Sequence, residues 1–175
     1  MEHLHFNGNA VVLDFGAGSG HYAIFVAERM MGHKGKVIAI DIQRSLLAKI
    51  KNEADRLGLG NLEIVWGDAE EIRGTALPDM IGDAAIVSNI LFQIVEKDIF
   101  VQEIARTLKH GAEVLFVDWT DSFGGMGPEL GAIVKEEDAR KLFERHGFKV
   151  AERFDAGAHH YGLVFKRTVS DWHSV

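Results

Sequence analysis

Cysteine is absent from the 175 residues. Disulfide staples, thiolate metal ligands and cysteine nucleophiles are therefore excluded, and a reducing, cytoplasmic setting is expected. Basic residues are in the minority, with 19 Lys and Arg against 26 Asp and Glu for a formal charge of −7. No basic face for a phosphate backbone is expected, so nucleic acid is not an expected partner and small molecules are. Long apolar runs are missing too: the uncharged stretch Ala84–Val95 is short and carries Ser88, Asn89 and Gln93, so no membrane span is expected. The first residues lack a cationic segment followed by an apolar one, and no signal peptide is expected. What the chain does have is 47% apolar residues, enough to build one core. One domain over residues 1–167 is expected, with a flexible tail over 168–175.

Short β-rich apolar runs alternate with longer stretches of helical period, the pattern of a parallel sheet wrapped by helices. Strands are predicted at Ala10–Asp14, Lys36–Asp41, Leu62–Trp66, Asp83–Ser88 and Ala112–Asp118, with helices between them. Leu47, Ile50, Ala54 and Leu57 form one apolar stripe, and Val101, Ile104, Ala105 and Leu108 form another. Gly58 and Gly111 are read as the glycines that end these two helices. A helix with Ala139, Leu142, Phe143 and His146 on one face ends at Gly147. Strands at Phe148–Phe154 and His160–Lys166 then pair antiparallel across a short turn at Gly157. The expected order is five βα units and a closing hairpin, an α/β doubly wound fold.

The segment Val11-Val12-Leu13-Asp14-Phe15-Gly16-Ala17-Gly18-Ser19-Gly20 reads as a buried strand running into a glycine loop, with a helix from about Tyr22. Glycines let the backbone turn sharply and let a ligand approach the main chain, while the helix start offers free N–H groups. The dinucleotide fingerprint is G-x-G-x-x-G; the spacing here is G-x-G-x-G, followed by His21. Asp41, at the end of the second strand, is placed to accept hydrogen bonds from both hydroxyls of an unphosphorylated ribose. Asp68, after the third strand, is placed to accept from the exocyclic amine of adenine, or to shape a turn. All of these lie at the carboxyl edge of the sheet, where open α/β folds hold ligands.

On these residues the chain resembles the class I S-adenosylmethionine-dependent methyltransferases, in their small-molecule branch that includes quinone-biosynthesis enzymes. The resemblance runs from Asn9 to about Arg167 and rests on VLDFGAGSG, VIAIDIQ, GDAEEI, AAIVSNILFQI and RTLKHGAEVLFVDW. It implies a Rossmann-like seven-stranded sheet of order 3-2-1-4-5-7-6 with strand 7 antiparallel. It also implies S-adenosylmethionine as cofactor and in-line transfer of its sulfonium methyl to a small-molecule acceptor. The cofactor contacts it implies are Asp14, Phe15, Gly16, Ala17, Gly18, Gly20, Tyr22, Asp41, Ile42, Gly67, Asp68, Ala69, Ser88 and Asn89. Phe92, Asp118 and Trp119 face the acceptor in the same reading, and no catalytic residue is assigned. Asp14 either orients the loop through backbone N–H groups or meets the cofactor amine through water.

Within that family, the arsenite enzymes depend on cysteine thiolates, which this chain lacks. The Asn/Asp-Pro-Pro-aromatic tetrad of amino-methylating nucleic-acid enzymes is replaced by Ser88-Asn89-Ile90-Leu91. The acidic metal ligands of catechol-type enzymes have no counterpart at Ser88. Nine histidines invite a metal reading, but no set of ligands completes His3 and His5, and no metal is expected. The final strand is expected to begin at the end of the sheet away from the cofactor, which makes His159, His160 and Tyr161 a solvated hairpin. Phe123–Pro128 is either a flap over the acceptor or a plain connection. Because the first strand begins about ten residues in, the helices that commonly cap the site in this family are expected to be absent, so that the site is open, or another subunit or partner covers it, or the chain is a truncated version. The alternatives to an enzyme of this kind are a non-catalytic S-adenosylmethionine-binding subunit or sensor, and an NAD-binding oxidoreductase fragment.

Overall fold

The structure, a computed structural model, describes residues 3–123, 125 and 127–168. Apart from residue 168, the expected tail lies outside the described residues. The elements in order are β1 (Val11–Phe15), α1 (His21–Arg29), β2 (Lys36–Asp41), α2 (Arg44–Leu57), β3 (Leu62–Trp66), β4 (Gly82–Ser88), α3 (Lys97–Thr107), β5 (Leu108–Trp119), α4 (Glu136–Arg145), β6 (Phe148–Asp155) and β7 (His160–Arg167). Short 3₁₀ turns occupy Leu91–Gln93 and Leu130–Ala132. The seven strands form one sheet of order β3-β2-β1-β4-β5-β7-β6. β1 through β5 pair in parallel, while β7 runs antiparallel to both β5 and β6.

The pleat sends alternate side chains to opposite faces, so each strand feeds two cores. Leu13, Phe15, Val114, Phe116, Leu163 and Phe165 pack under α3 and α4. Val12, Ile86, Leu115 and Val164 pack under α1 and α2. Phe143 of α4 stacks on Phe165 at 4.3 Å between centroids, and full burial of each such ring is worth about 1.5–3 kcal/mol. Gly58 ends α2 in the left-handed conformation (φ 69°), as its position after the apolar stripe predicts.

Two expectations change. The link between β3 and β4 carries no helix among the described residues; positive φ at Arg73, Ala76 and Met80 and a proline at 78 break any helical run. Buried Glu103 of α3 holds this link instead, accepting from Thr75 Oγ1 at 2.6 Å and from the Arg73 N–H at 2.9 Å, with Arg106 Nη2 at 2.7 Å. The second change concerns Gly111, which does not cap α3. That helix ends at Thr107 with Leu108 as its cap, and Gly111 lies inside β5, where pairing with β4 shifts register. Strand pairing of Leu108 with Gly82 ends the helix before the glycine is reached.

Candidate functional site

The glycine loop leaves β1 between β2 and β4. Gly16, Gly18 and Gly20 all have positive φ, 68°, 55° and 81°, a backbone path that L side chains rarely adopt. The N–H groups of Gly16 and Ala17 both donate to Ile40 O, at 2.9 and 3.0 Å. Asp41 closes the turn: its Oδ2 accepts the Gly18 N–H at 2.9 Å and its Oδ1 accepts the Gln43 N–H at 2.8 Å. Each oxygen keeps a second lone pair for a ligand. A Cβ on Gly18 would meet nothing nearer than Gly16 O at 3.8 Å, so the loop presents bare backbone to open space.

Around this loop lies a cleft of about 640 Å³ at the carboxyl edge of the sheet. Of the residues expected at the cofactor, Asp14, Gly16, Ala17, Gly18, Tyr22, Asp41, Ile42, Gly67, Asp68, Ala69, Ser88 and Asn89 line it. Asp68 Oδ1 accepts the Glu70 N–H at 2.8 Å, so one oxygen shapes the turn after β3. Asn89 leaves β4 with φ 54°, its N–H bound to Val117 O at 2.9 Å, a left-handed kink that Asn tolerates better than most residues.

Asp14 is the buried charge of the site. Among the described residues its Oδ2 has no hydrogen-bond partner, and neither has Ser88 Oγ, although both side chains border the cleft. Burial pushes the Asp14 carboxyl up to about 7, against the backbone N–H of Ala23, which lowers it; the charge of Asp41 raises it further. Asp14 thus lines the cleft with one carboxylate oxygen that no described group satisfies.

Five expected residues stand elsewhere. Phe15, fully buried, meets Phe100 edge-on at 6.2 Å in the core, because the pleat turns it away from Asp14. Gly20 caps α1, and a Cβ there would strike Ile50 at 2.6 Å, so it serves helix packing. Phe92 is half-buried in the 3₁₀ turn outside the cleft wall. Asp118 is buried on the α3–α4 side, where its carboxylate accepts the N–H groups of Leu91 (3.2 Å) and Trp119 (2.9 Å); burial lifts it to about 6. Trp119 points to the other face and packs against His160 at 4.2 Å.

That last contact corrects the expectation for His159, His160 and Tyr161. An antiparallel strand begins beside its partner's end, and the register Trp119↔His160 puts the start of β7 at the carboxyl edge. His159 Nδ1 lies 2.7 Å from Asp121 Oδ1, and its ring stacks on Phe123 at 4.4 Å. Of the expected flap, Gly124 and Met126 lie outside the described residues.

The cleft also has walls that were not singled out: Ser19, Ile40, Gln43, Leu46, Glu70, Ile90, Gln93, Ile94 and Phe100. Glu70 had a sequence signal, standing two residues after Asp68. Its Oε2 accepts the N–H groups of Val95 and Glu96, both at 2.7 Å, and braces the entrance to α3. Phe100 had none, since an apolar position on a helical stripe looks like any core residue.

A family model described as Methyltransferase domain matches residues 6–152. The chain belongs to this methyltransferase domain family. It is 31% identical over 152 residues to an arsenite methyltransferase from Aquipseudomonas alcaligenes, covering 78% of this chain and 43% of that protein. It is 30% identical over 153 residues to the ubiquinone/menaquinone biosynthesis C-methyltransferase UbiE of Salmonella arizonae, covering 86% of this chain and 56% of that protein. The crystal structure of a SAM dependent methyltransferase from Aquifex aeolicus superposes with a TM-score of 0.80 at 27% identity, covering 90% of this chain and 82% of that one. The chain spans about half the length of the curated relatives it matches. The cofactor that goes with this domain is S-adenosylmethionine, which takes the place of the dinucleotide alternative. The arsenite enzyme is a relative although the chain has no cysteine, so the likeness lies in the domain and not in thiolate chemistry.

Proposed function

We propose that this domain binds S-adenosylmethionine in the carboxyl-edge cleft and transfers its methyl group to a small-molecule acceptor. The observation that carries the reading is Asp14 Oδ2, a buried carboxylate oxygen without a partner among the described residues, beside a cradle of bare glycine backbone. A buried anion needs a cationic partner, and an ammonium group such as the cofactor's amino-acid end supplies one. The spare lone pairs of Asp41 suit ribose hydroxyls, and the second oxygen of Asp68 suits the adenine amine. Ser88 and Asn89 border the side of the cleft that faces β5.

The bound cofactor supplies an electrophilic methyl group on a sulfonium, already a good leaving group. The chain's own residues then have to hold the reactants in line and exclude water, which is worth up to about 7–11 kcal/mol in well-oriented systems. In this reading residues 1–167 act as one domain in a cytoplasmic setting. Isothermal titration of the purified chain with S-adenosylmethionine, S-adenosylhomocysteine and NAD tests the assignment. Binding of the first two is expected; heat with NAD alone overturns it. Incubation of methyl-labelled cofactor with a cell extract then separates an enzyme, which labels a small molecule, from a sensor, which labels nothing.

A further inference from the structure

Along α1, Tyr22, Phe25 and Arg29 stand at i, i+3 and i+7, one stripe of the helix beside the buried stripe of Ala23, Val26 and Ala27. With Leu4 and Phe6 of the N-terminal segment they wall a second cavity, of about 560 Å³. That is inside the usual size of small-molecule sites, about 300–1,000 Å³. The cavity and the cofactor cleft share His21 and Tyr22, so the two meet at the start of α1.

Phe6, Tyr22 and Phe25 give this cavity flat apolar walls, and among the described residues no carboxylate lines it. Its fixed charge is Arg29. The guanidinium carbon lies 3.4 Å from the centroid of the Phe25 ring, because long helical side chains lean toward the helix N-terminus, here toward the cleft. Among the described residues Arg29 forms no ion pair. His3, at the other side of the cavity, is already matched, its Nδ1 lying 2.7 Å from Glu152 Oε1.

We infer that the acceptor is a flat aromatic carboxylate, its rings between Phe6, Tyr22 and Phe25, its carboxylate on Arg29 and its opposite end entering the cleft past His21 and Tyr22. This rests on the reading of the cleft given above, in which the cofactor's amino-acid end meets Asp14 in the cleft that His21 and Tyr22 also line. The planar fork of a guanidinium matches the two oxygens of a carboxylate, and the Phe25 ring beneath it holds that fork in place. A chain of formal charge −7 repels anions in general, so an anionic acceptor needs a local cation such as Arg29. An ammonium acceptor would meet that cation with no carboxylate lining the cavity to offset it. Phe25 stands one helical turn, about 5.4 Å, beyond His21, so one or two fused rings span from the cation to the mouth of the cleft.

The probe is 6-hydroxy-2-naphthoate, titrated by its fluorescence into the chain loaded with S-adenosylhomocysteine so that no turnover occurs; 2-naphthol, the same body without the carboxylate, is the comparison. The naphthoate is expected to bind about tenfold tighter than the naphthol. Arg29→Met keeps an apolar stem over Phe25 but no charge, and should bring the two affinities together, while Arg29→Lys restores most of the preference. Calorimetry with S-adenosylhomocysteine should give one affinity for all three chains, which shows that they are folded. With both ligands bound, an interligand nuclear Overhauser effect is expected between the naphthoate ring protons and the homocysteine methylene protons. S-adenosylhomocysteine binding without naphthoate binding, an equal preference in Arg29→Met, or a bound naphthoate with no Overhauser effect to the homocysteine overturns the acceptor inference alone. Failure of S-adenosylhomocysteine to bind overturns the cofactor reading, and the acceptor inference with it.

Discussion

Asp41 Oδ2 accepts the backbone N–H of Gly18 at 2.9 Å, so the carboxylate that ends β2 also fixes the loop that leaves β1. Asp41→Ala removes two charge-assisted bonds to backbone as well as the proposed ribose contact. We expect it to weaken S-adenosylmethionine binding by about 1.5–3 kcal/mol and to lower the melting temperature of the ligand-free chain. Calorimetry and thermal melts read the two effects, and unchanged affinity would place the ribose elsewhere.

Asp14 makes a pH prediction with a definite sign. Its carboxyl is pushed from 3.8 to about 7 in the folded chain, so folding favours the protonated form. The resulting destabilisation is absent below about pH 4, grows as pH rises toward 7 and is complete above it, on the order of 2–4 kcal/mol. Asp14→Asn should therefore melt higher than the parent at pH 8, and the gap should close toward pH 4. Equal melting at pH 8 would contradict this. The same variant should lose cofactor affinity, which would show that the strain serves binding.

Two glycines of one loop should respond differently to alanine. At Gly16 a Cβ would lie 1.9 Å from Ile90 Cδ1, and φ is 68°, so Gly16→Ala meets both a clash and strain. Gly18→Ala, with φ 55° and open space, meets strain alone. Urea unfolding should show about 1–2 kcal/mol lost at Gly18 and more at Gly16. Ile90→Ala added to Gly16→Ala should recover part of the Gly16 loss relative to additivity; strict additivity would remove the clash explanation.

Glu103 bears on fold and not on chemistry. Its buried carboxylate holds Thr75 Oγ1, the Arg73 N–H and Arg106, so Glu103→Ala leaves a partly buried guanidinium without the buried one of its two carboxylate partners. A loss of about 3–5 kcal/mol is expected in denaturant unfolding. A loss under about 1 kcal/mol would mean that Asp79, the other partner of Arg106, carries the pairing by itself.

Much of the site is legible in the sequence. The strand ends fall within a residue or two of expectation, apart from the early start of β5, because each strand is a compact apolar run bounded by turn residues. The glycine loop and the acids at 14, 41 and 68 all reach one cleft. Gly111 and the β3–β4 link misled for a local reason: a glycine after an apolar stripe suggests a helix end, and strand–helix alternation suggests a helix in every link, but strand pairing at Leu108 and the hold of Glu103 on residues 73 and 75 decide those segments.

What the sequence alone determined was periodicity, strand order by family likeness, and the placement of acids and glycines at strand ends, all consequences of near-neighbour chemistry. Only the tertiary structure decided which side of the sheet each residue serves. Asp118 and Trp119 are adjacent in sequence, yet the pleat sends the first under α3 and the second to the α1 face, against His160, forty-one positions away. The direction of β7 put His160 at the cleft end of the sheet, because an antiparallel neighbour starts where its partner stops.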